Sequence, residues 1–211
     1  RNTAIVGLSS AVLALGLGAG ASYALSRFTF RPKPGLILAF LACAVFVIAI
    51  VNAGAPWHVA VASGIGIFLL IALTIGRRLK GSMTNDDIAF WLISQRMLPP
   101  VAVLVPIHIL FQSFGLLNTY TALIVTYTAV NLPRAIWFTR DYFKSIPLEL
   151  EESAFIDGAT RYQVLWKIVL PLSAPGLVAT FLIVLIFAWT EYTLGLFLSG
   201  AATQTLPMLV V

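Results

Sequence analysis

Long apolar runs separated by short polar stretches dominate the chain. The runs cover residues 3–25, 35–51, 58–75, 86–112, 120–138 and 168–189. Each is near or above the roughly 20 residues that a helix needs to cross the hydrocarbon core of a bilayer. A helix satisfies its own backbone hydrogen bonds, which is the condition for lying in lipid. The pattern therefore predicts an all-α fold, a polytopic transmembrane helical bundle.

Basic residues gather at one end of these runs. The clusters after the first, third and fifth runs are Arg27, Arg31 and Lys33, then Arg77, Arg78 and Lys80, then Arg134, Arg140 and Lys144. Lysine and arginine are enriched in cytoplasmic loops, so these ends are expected to be cytoplasmic and Arg1 to lie outside. The turn at 52–57 is uncharged. The second and third runs therefore form a hairpin that leaves the cytoplasm and returns.

Prolines and isolated polar residues interrupt the later runs. Pro99, Pro100 and Pro106 fall within the run 86–112, and each removes a backbone donor from a helix. Broken helices at membrane depth are tolerated where they are buried in protein or line a water-filled cavity. Arg96 at such a depth costs at least about 2.5 kcal/mol, so it either lines a pathway or extends to the interface. The candidate pathway residues are Arg96, Pro99, Pro100, Asn131 and Glu191.

One polar stretch, residues 145–171, cannot lie in lipid, because it carries several carboxylates. Its local signals predict two short helices with a break between them. Ser145 is expected to cap the first helix, and Gly158 to end it in the left-handed backbone conformation. Thr160 and Gln163 have the spacing of a capping box that opens the second helix, which runs toward Leu170.

The first of these helices has two distinct faces. Leu148, Glu152 and Phe155 share one face by their helical spacing. Ala154 and Gly158 fall on another, nearly flat face. Two apolar side chains around a carboxylate, outside the membrane, are suited to docking against another protein.

The order Glu152-Ser153-Ala154, three residues, Gly158, nine residues, Ile168, one residue, Leu170-Pro171 resembles the EAA loop of the membrane subunits of bacterial ATP-binding-cassette importers. The family pattern is Glu-Ala-Ala, three residues, Gly, nine residues, Ile-x-Leu-Pro, and Ser153 is the only departure from it. Further segments look like the carbohydrate-type, maltose-permease-like branch: Arg96-Met97-Leu98-Pro99-Pro100, Gly115-Leu116-Leu117-Asn118-Thr119, Asn131-Leu132-Pro133 and Phe187-Ala188-Trp189-Thr190-Glu191. The similarity covers residues 1–31 and 86–211.

The resemblance implies a type I importer permease fold, with residues 1–211 as a single transmembrane permease domain. Residues 32–85 fit the pattern poorly, so they are expected to be an accessory two-helix hairpin insertion. Residues 145–167 would be the cytoplasmic coupling loop, in which the glutamate at the Glu152 position pairs with a basic residue of the ATPase. The residues assigned to ATPase coupling are Leu148, Glu151, Glu152, Ser153, Ala154, Phe155, Asp157, Gly158, Ile168, Leu170 and Pro171.

The resemblance also implies partners and a location. The chain would form half of the translocation pathway for a sugar or polyol in the bacterial cytoplasmic (inner) membrane, as a multi-pass protein surrounded by lipid. It would assemble with a second homologous permease subunit, two copies of an ABC ATPase subunit and an extracytoplasmic solute-binding protein. Because the chain begins at Arg1 and both its ends are expected outside, we expect a fragment that lacks the first and last helices.

Composition narrows the function classes. Sixty per cent of residues are apolar, ten per cent are charged and the mean hydropathy is +0.97, values typical of a membrane protein. The net charge of +5 follows from the cytoplasmic clusters, so no nucleic-acid partner is expected. No Gly-rich loop ending in Lys-Ser or Lys-Thr, metal-ligand cluster or catalytic motif is present. We therefore expect no enzymatic activity, cofactor or metal.

Two other classes of function fit parts of the sequence. An ion- or proton-coupled secondary transporter also uses broken helices near the midplane, but it leaves the acidic stretch unexplained. A membrane scaffold would use Gly16 and Gly20, whose spacing lets another helix approach closely, but it leaves the kinked spans unexplained.

Overall fold

The computed structural model describes residues 1–54, 56–74, 83–95 and 100–210. All regular structure in these ranges is helical. The first six helices are α1 (Asn2–Arg27), α2 (Pro34–Asn52), α3 (Trp57–Thr74), α4 (Asn85–Ser94), α5 (Pro100–Ser113) and α6 (Tyr120–Ser145). The remaining helices are α7 (Leu148–Ile156), α8 (Arg161–Val164), α9 (Leu170–Leu172), α10 (Ala174–Trp189), α11 (Thr193–Leu198) and α12 (Leu206–Val210), with a π-helical segment (Leu165–Val169) between α8 and α9.

Judged by length and composition alone, one described helix is long and apolar enough to cross a membrane. That helix is α1, and the chain from α8 to α10 becomes a second such span if its two arms are counted together. Shorter apolar helices cover Pro34–Ile50, His58–Thr74 and Val103–Ser113. The run expected at 86–112 is divided between α4 and α5.

The last predicted span is not one straight helix. The arms Arg161–Leu172 and Ala174–Trp189 meet at an angle of 76° around Ser173. Pro171 and Pro175 flank this residue, and neither can donate a backbone hydrogen bond across the corner. The expected span therefore turns sharply between α9 and α10.

The chain forms two compact units. One contains Arg1–Phe28 and Ala89–Val211, and the other contains Thr29–Ile88.

In the first unit, α1 packs closely along α6. A Cβ added to Gly18 would lie 2.9 Å from the Cβ of Ala135, so only glycine permits this approach. One turn further along α1, the Ser22 hydroxyl donates to the carbonyl of Ile136 at 2.9 Å. Gly16 and Gly20, whose spacing lets another helix approach closely, have no atom of this chain within 4 Å of an added Cβ.

Where α1 and α6 begin, the same unit is joined by polar contacts between distant parts of the chain. The Asn2 amide donates to the carbonyls of Ala202 and Gln204 at 2.9 and 3.0 Å. The Tyr120 hydroxyl donates to Asn2 Oδ1 at 2.8 Å. An apolar cluster that includes Val6, Leu123, Tyr127, Leu194 and Leu198 lies beneath these contacts. The starts of α1 and α6 are thereby fixed to the segment between α11 and α12.

The second unit is built around α2 and α3. A Cβ on Gly64 would overlap the Val47 side chain, and the Phe40 and Phe68 rings meet edge to face at 5.6 Å. The backbone N–H of Met83 donates to the carbonyl of Pro32 at 2.9 Å. The two ends of the helical pair therefore lie side by side.

Candidate functional site

The helix that carries the acidic residues, α7, begins later than the sequence indicates. Its N-cap is Pro147, and Ser145 is the last residue of α6, where its hydroxyl donates to the carbonyl of Tyr142 at 2.7 Å. The expected Ser145 cap was therefore wrong. At the other end, Asp157 is the C-cap and Gly158 has φ of +83°, so the predicted left-handed turn is confirmed.

The second short helix starts as the sequence predicts. The Thr160 side chain accepts from the Gln163 backbone, and the Gln163 side chain accepts from the Thr160 backbone, which completes a capping box. Beyond α8 the helix widens into the π-helical segment before α9. Ile168 and Leu170 are half-buried against the protein, whereas Pro171 is exposed.

Two adjacent glutamates on α7 have opposite environments. The Glu151 side chain is 4% exposed, and its Oε1 accepts from Arg27 Nε at 2.6 Å. Its Oε2 accepts from the Tyr23 hydroxyl at 3.1 Å. Glu152 is exposed. The buried position of Glu151 places a carboxylate in the first turn of α7, where the helix dipole favours a negative charge.

Arg27 connects α7 to two other helices. It ends α1, and its Nη2 donates to the carbonyls of Phe143 and Ile146 at 3.0 and 3.1 Å. These carbonyls lie at the C-terminal end of α6, where helix carbonyls lack intrahelical partners. One guanidinium therefore fixes the end of α1, the end of α6 and the start of α7.

An apolar cluster surrounds this ion pair. Its buried members are Ala19, Tyr23, Phe143, Ile146, Val164 and Val169, and half-buried Ala154 packs against it. Ala154 therefore lies on the inner side of α7, as the helical spacing predicts. The cluster joins α1 and α6 to the polar segment that follows α7.

The outer side of α7 is apolar around a carboxylate. Leu148 is 53% exposed and Phe155 is 37% exposed, and Glu152 lies between them along the helix. Ile156, which the sequence did not single out, is 86% exposed. Ser153 is also exposed and donates to the carbonyl of Glu149 at 2.7 Å. We call Leu148, Glu152, Phe155 and Ile156 the outer face of α7.

Two of the five predicted pathway residues, Asn131 and Glu191, are connected through a third side chain. Asn131 is buried and donates to the carbonyl of Tyr127 at 3.0 Å. The Tyr127 hydroxyl donates to the carbonyl of Glu191 at 3.0 Å, so Tyr127 links these two candidates. The Glu191 carboxylate accepts from the backbone of Leu194, in the first turn of α11, at 3.2 Å. Arg96 and Pro99 lie outside the described residues, and Pro100 is the first residue of α5.

The Arg134 side chain contacts both its own helix and an aromatic ring of α10. Its Nη1 donates to Asn131 Oδ1 at 2.8 Å, and its guanidinium carbon lies 3.5 Å from the centre of the Phe187 ring. Asn131 precedes Arg134 by one turn of α6. The side chain therefore extends toward the N-terminal end of that helix.

Sequence reasoning missed Arg27 and Tyr23 as parts of this site. They stand four positions apart in the last turns of α1, so they share one helix face. The sequence did contain a signal for them, because a tyrosine and an arginine share one face in the last turns of the first predicted span. Among the residues that the structure describes, no group of three or more His, Cys, Asp or Glu side chains is arranged to hold a metal ion.

Comparison with known proteins places this geometry in a family. The model of the family described as "Binding-protein-dependent transport system inner membrane component" matches residues 64–209. The inner membrane ABC transporter permease protein of Escherichia coli is 35% identical over 152 residues, which cover 70% of this chain and 53% of that protein. The trehalose/maltose transport system permease protein of Thermococcus litoralis is 34% identical over 146 residues, 68% of this chain and 51% of that protein.

Two further similarities are to another permease protein and to a solved transporter structure. The sulfoquinovosyl glycerol transport system permease protein of Agrobacterium fabrum is 41% identical over 118 residues, 56% of this chain and 41% of that protein. A solved structure, of a bacterial ABC transporter involved in the import of the acidic polysaccharide alginate, matches with a TM-score of 0.59. It is 23% identical and covers 99% of this chain and 54% of that chain, a likeness that shows the fold alone.

The fold and the family together define a helical, multi-pass component of an inner-membrane transport system, which is not an enzyme. The chain belongs to the family of binding-protein-dependent transport system inner membrane components. Relatives named as sugar transport permeases support the carbohydrate-type resemblance. The chain spans about half the length of the curated relatives it matches. Family membership does not favour the ion-coupled secondary transporter.

Proposed function

We propose that this chain is a permease subunit of an ATP-driven importer and that α7 is its coupling helix. In this role α7 docks on a cytoplasmic ABC ATPase subunit through its outer face. The chain forms half of a translocation pathway for a sugar or polyol, and a second homologous permease forms the other half. An extracytoplasmic solute-binding protein delivers the solute.

The proposal rests on one observation: Glu151 is buried in an ion pair, whereas its neighbour Glu152 is exposed. Glu151 forms an internal ion pair with Arg27, so α7 is fixed to the membrane helices. Glu152 is exposed between Leu148 and Phe155, so a carboxylate remains available to a basic residue of a partner. A docking surface of this kind combines apolar contact with a charge pair that sets orientation.

Transmission to the membrane follows from the same contacts. The Arg27 guanidinium is bonded to α7 and to the end of α6. Closure of the two ATPase subunits that displaces α7 therefore also displaces α1 and α6. Packed interfaces of this type move as rigid bodies between discrete arrangements. The cavity between the two permeases would then alternate between inward and outward access.

A cysteine crosslink tests the docking. Cys43 is first replaced by alanine, and Glu152→Cys is paired with a cysteine in the groove of the ATPase encoded with this chain. We expect a disulfide whose yield changes when ATP is added. Ala154→Cys is the matched control, since this small side chain packs against the buried cluster and is expected not to crosslink. Folded protein that retains no ATPase and gives no crosslink from position 152 would overturn the proposal.

A transport measurement separates docking from folding. Glu152→Gln removes the charge but keeps the size of the side chain, so we expect normal expression with uptake reduced by about tenfold or more, the equivalent of losing one charge-assisted contact. Ser153→Ala changes an exposed neighbour whose hydroxyl bonds only to the helix backbone, and it is expected to transport normally. Equal uptake by Glu152→Gln and the parent protein would contradict the assigned role of Glu152.

A further inference from the structure

Arg134 and Phe187 form a cation–aromatic pair between α6 and α10. At 1.5 Å per residue, Arg134 lies about 16 Å along α6 from Ser145. Phe187 lies about 20 Å along α10 from Ala174. Both helices begin or end near the coupling segment at their cytoplasmic ends. The guanidinium lies 3.5 Å from the ring centre, about three turns of α6 before the end of that helix at the coupling segment.

The Arg134 side chain is directed toward the N-terminal end of α6. It donates there to Asn131, one turn before it in the helix. Asn131 is itself held by its bond to the carbonyl of Tyr127. The guanidinium is thus positioned by a buried amide and an aromatic ring.

The pair is also accessible and carries unused donors. Arg134 is half-buried and Phe187 is 43% exposed. Among the described residues, the contacts shown for the Arg134 guanidinium are with Asn131 and the Phe187 ring, and neither partner is a carboxylate. A guanidinium has five N–H donors in a planar fork that matches the oxygens of a carboxylate or sulfonate.

A charge at this depth is strongly disfavoured in lipid and is found facing a bundle interior or a water-filled cavity. We propose that the Arg134–Phe187 pair lines the aqueous translocation pathway and that Arg134 binds an oxyanion group, a carboxylate or sulfonate, on the transported solute. This inference rests on the proposed importer function and narrows its substrate from sugars in general to anionic sugar derivatives. Phe187 supplies a flat apolar surface beneath the cation, and Asn131 fixes its direction.

Thiol labelling of the assembled transporter tests this assignment. Phe187→Cys is made in a Cys43→Ala background, and the full-length subunit is expressed in membranes with the permease and ATPase encoded beside it. Two membrane-impermeant methanethiosulfonate reagents are compared, one bearing a sulfonate and the other a trimethylammonium group. The sulfonate reagent carries the group that the site is expected to recognise. Both rates are measured with and without ATP.

We expect position 187 to react from the aqueous phase in at least one nucleotide state, with a higher ratio of the sulfonate rate to the ammonium rate than at a control cysteine away from Arg134. Two unit charges about 5 Å apart in water change each rate several-fold and in opposite directions. Arg134→Gln should therefore lower the ratio of the two rates by about tenfold, and Arg134→Lys should preserve most of it. Ala201→Cys, in the exposed outer turn, is the control whose ratio should not respond to Arg134→Gln.

Two results would overturn the inference. One is failure of both reagents to reach position 187 in either state while Ala201→Cys reacts, since the pair would then face lipid or protein. The other is a rate ratio that Arg134→Gln leaves unchanged. Labelling requires no ATP turnover, so its failure is distinguishable from failure of α7 to couple, which the crosslink from Glu152→Cys reports separately.

Discussion

Neutralising Glu151 is expected to destabilise the folded subunit, whereas the same change at Glu152 is not. Glu151→Gln keeps the shape of the side chain but removes the charge that faces Arg27 at 2.6 Å. Hydrogen bonds to charged groups contribute about 1.5–3 kcal/mol, and breaking a buried ion pair from one side costs up to about 3–5 kcal/mol. Glutamine can still accept one bond, and Arg27 keeps its two carbonyl partners, so we expect about 2–3 kcal/mol.

The assay is thermal denaturation of the detergent-solubilised transporter, followed by the loss of its monodisperse peak in size-exclusion chromatography. For chains of 150–250 residues, 1 kcal/mol shifts Tm by about 2–4 °C, so Glu151→Gln should lower Tm by about 4–12 °C. Glu152→Gln should stay within about 2 °C of the parent, because exposed substitutions change stability by about 0.5 kcal/mol or less.

A double-mutant cycle with Arg27→Gln isolates the pair itself. The loss of stability in the double variant should be smaller than the sum of the losses in the two single variants, because each single change already removes the same ion pair. An interaction free energy of about 1.5 kcal/mol or more is expected. Equal Tm shifts for Glu151→Gln and Glu152→Gln, or additive effects of Arg27→Gln and Glu151→Gln, would refute the reasoning that Glu151 fixes α7 to α1.

Three further predictions follow from the backbone. Gly158→Pro should reduce uptake to background with normal expression, because proline cannot adopt a φ of +83°; Gly158→Asn, which tolerates that conformation, should retain transport. Gly18→Leu should lower Tm, because its side chain would collide with Ala135, whereas Gly20→Leu, with nothing within 4 Å, should not. Deleting residues 33–82 and joining the flanks through one glycine should leave a reporter in the turn after α5 outside the cytoplasm, and its appearance inside would show that the hairpin is required for topology.

Features that depend on neighbouring residues were predictable from the sequence. The capping box needs only Thr160 and Gln163, three positions apart, and the turn at Gly158 needs only a residue that accepts positive φ. Both are present in the structure. The all-α fold was predictable in the same way. In lipid, the backbone N–H and C=O groups of a long apolar run must bond within their own segment, which only a helix allows locally.

Features that depend on packing between distant helices were not predictable. Glu151 and Glu152 are equivalent by composition, and only the approach of α1, whose Arg27 is 124 positions away, distinguishes them. Gly16, Gly18 and Gly20 offered two alternative faces for close helix packing. The face used is that of Gly18, because the α6 residue opposite it is the small Ala135. Single-sequence spacing identifies which residues share a face but not which face meets a neighbour.

The connections of α7 to the bundle differ in chemistry. Toward α1 and α6 the link is polar, through the Arg27 guanidinium and its bonds to Glu151 and the α6 carbonyls. Toward the segment that leads into α10 the link is apolar, because Val164 and Val169 are buried in the same cluster as Tyr23. The helix then bends by 76° before α10. A displacement of α7 is therefore carried rigidly as far as this bend, since close-packed side chains transmit strain, and any change in angle between the coupling segment and α10 is expected at Ser173.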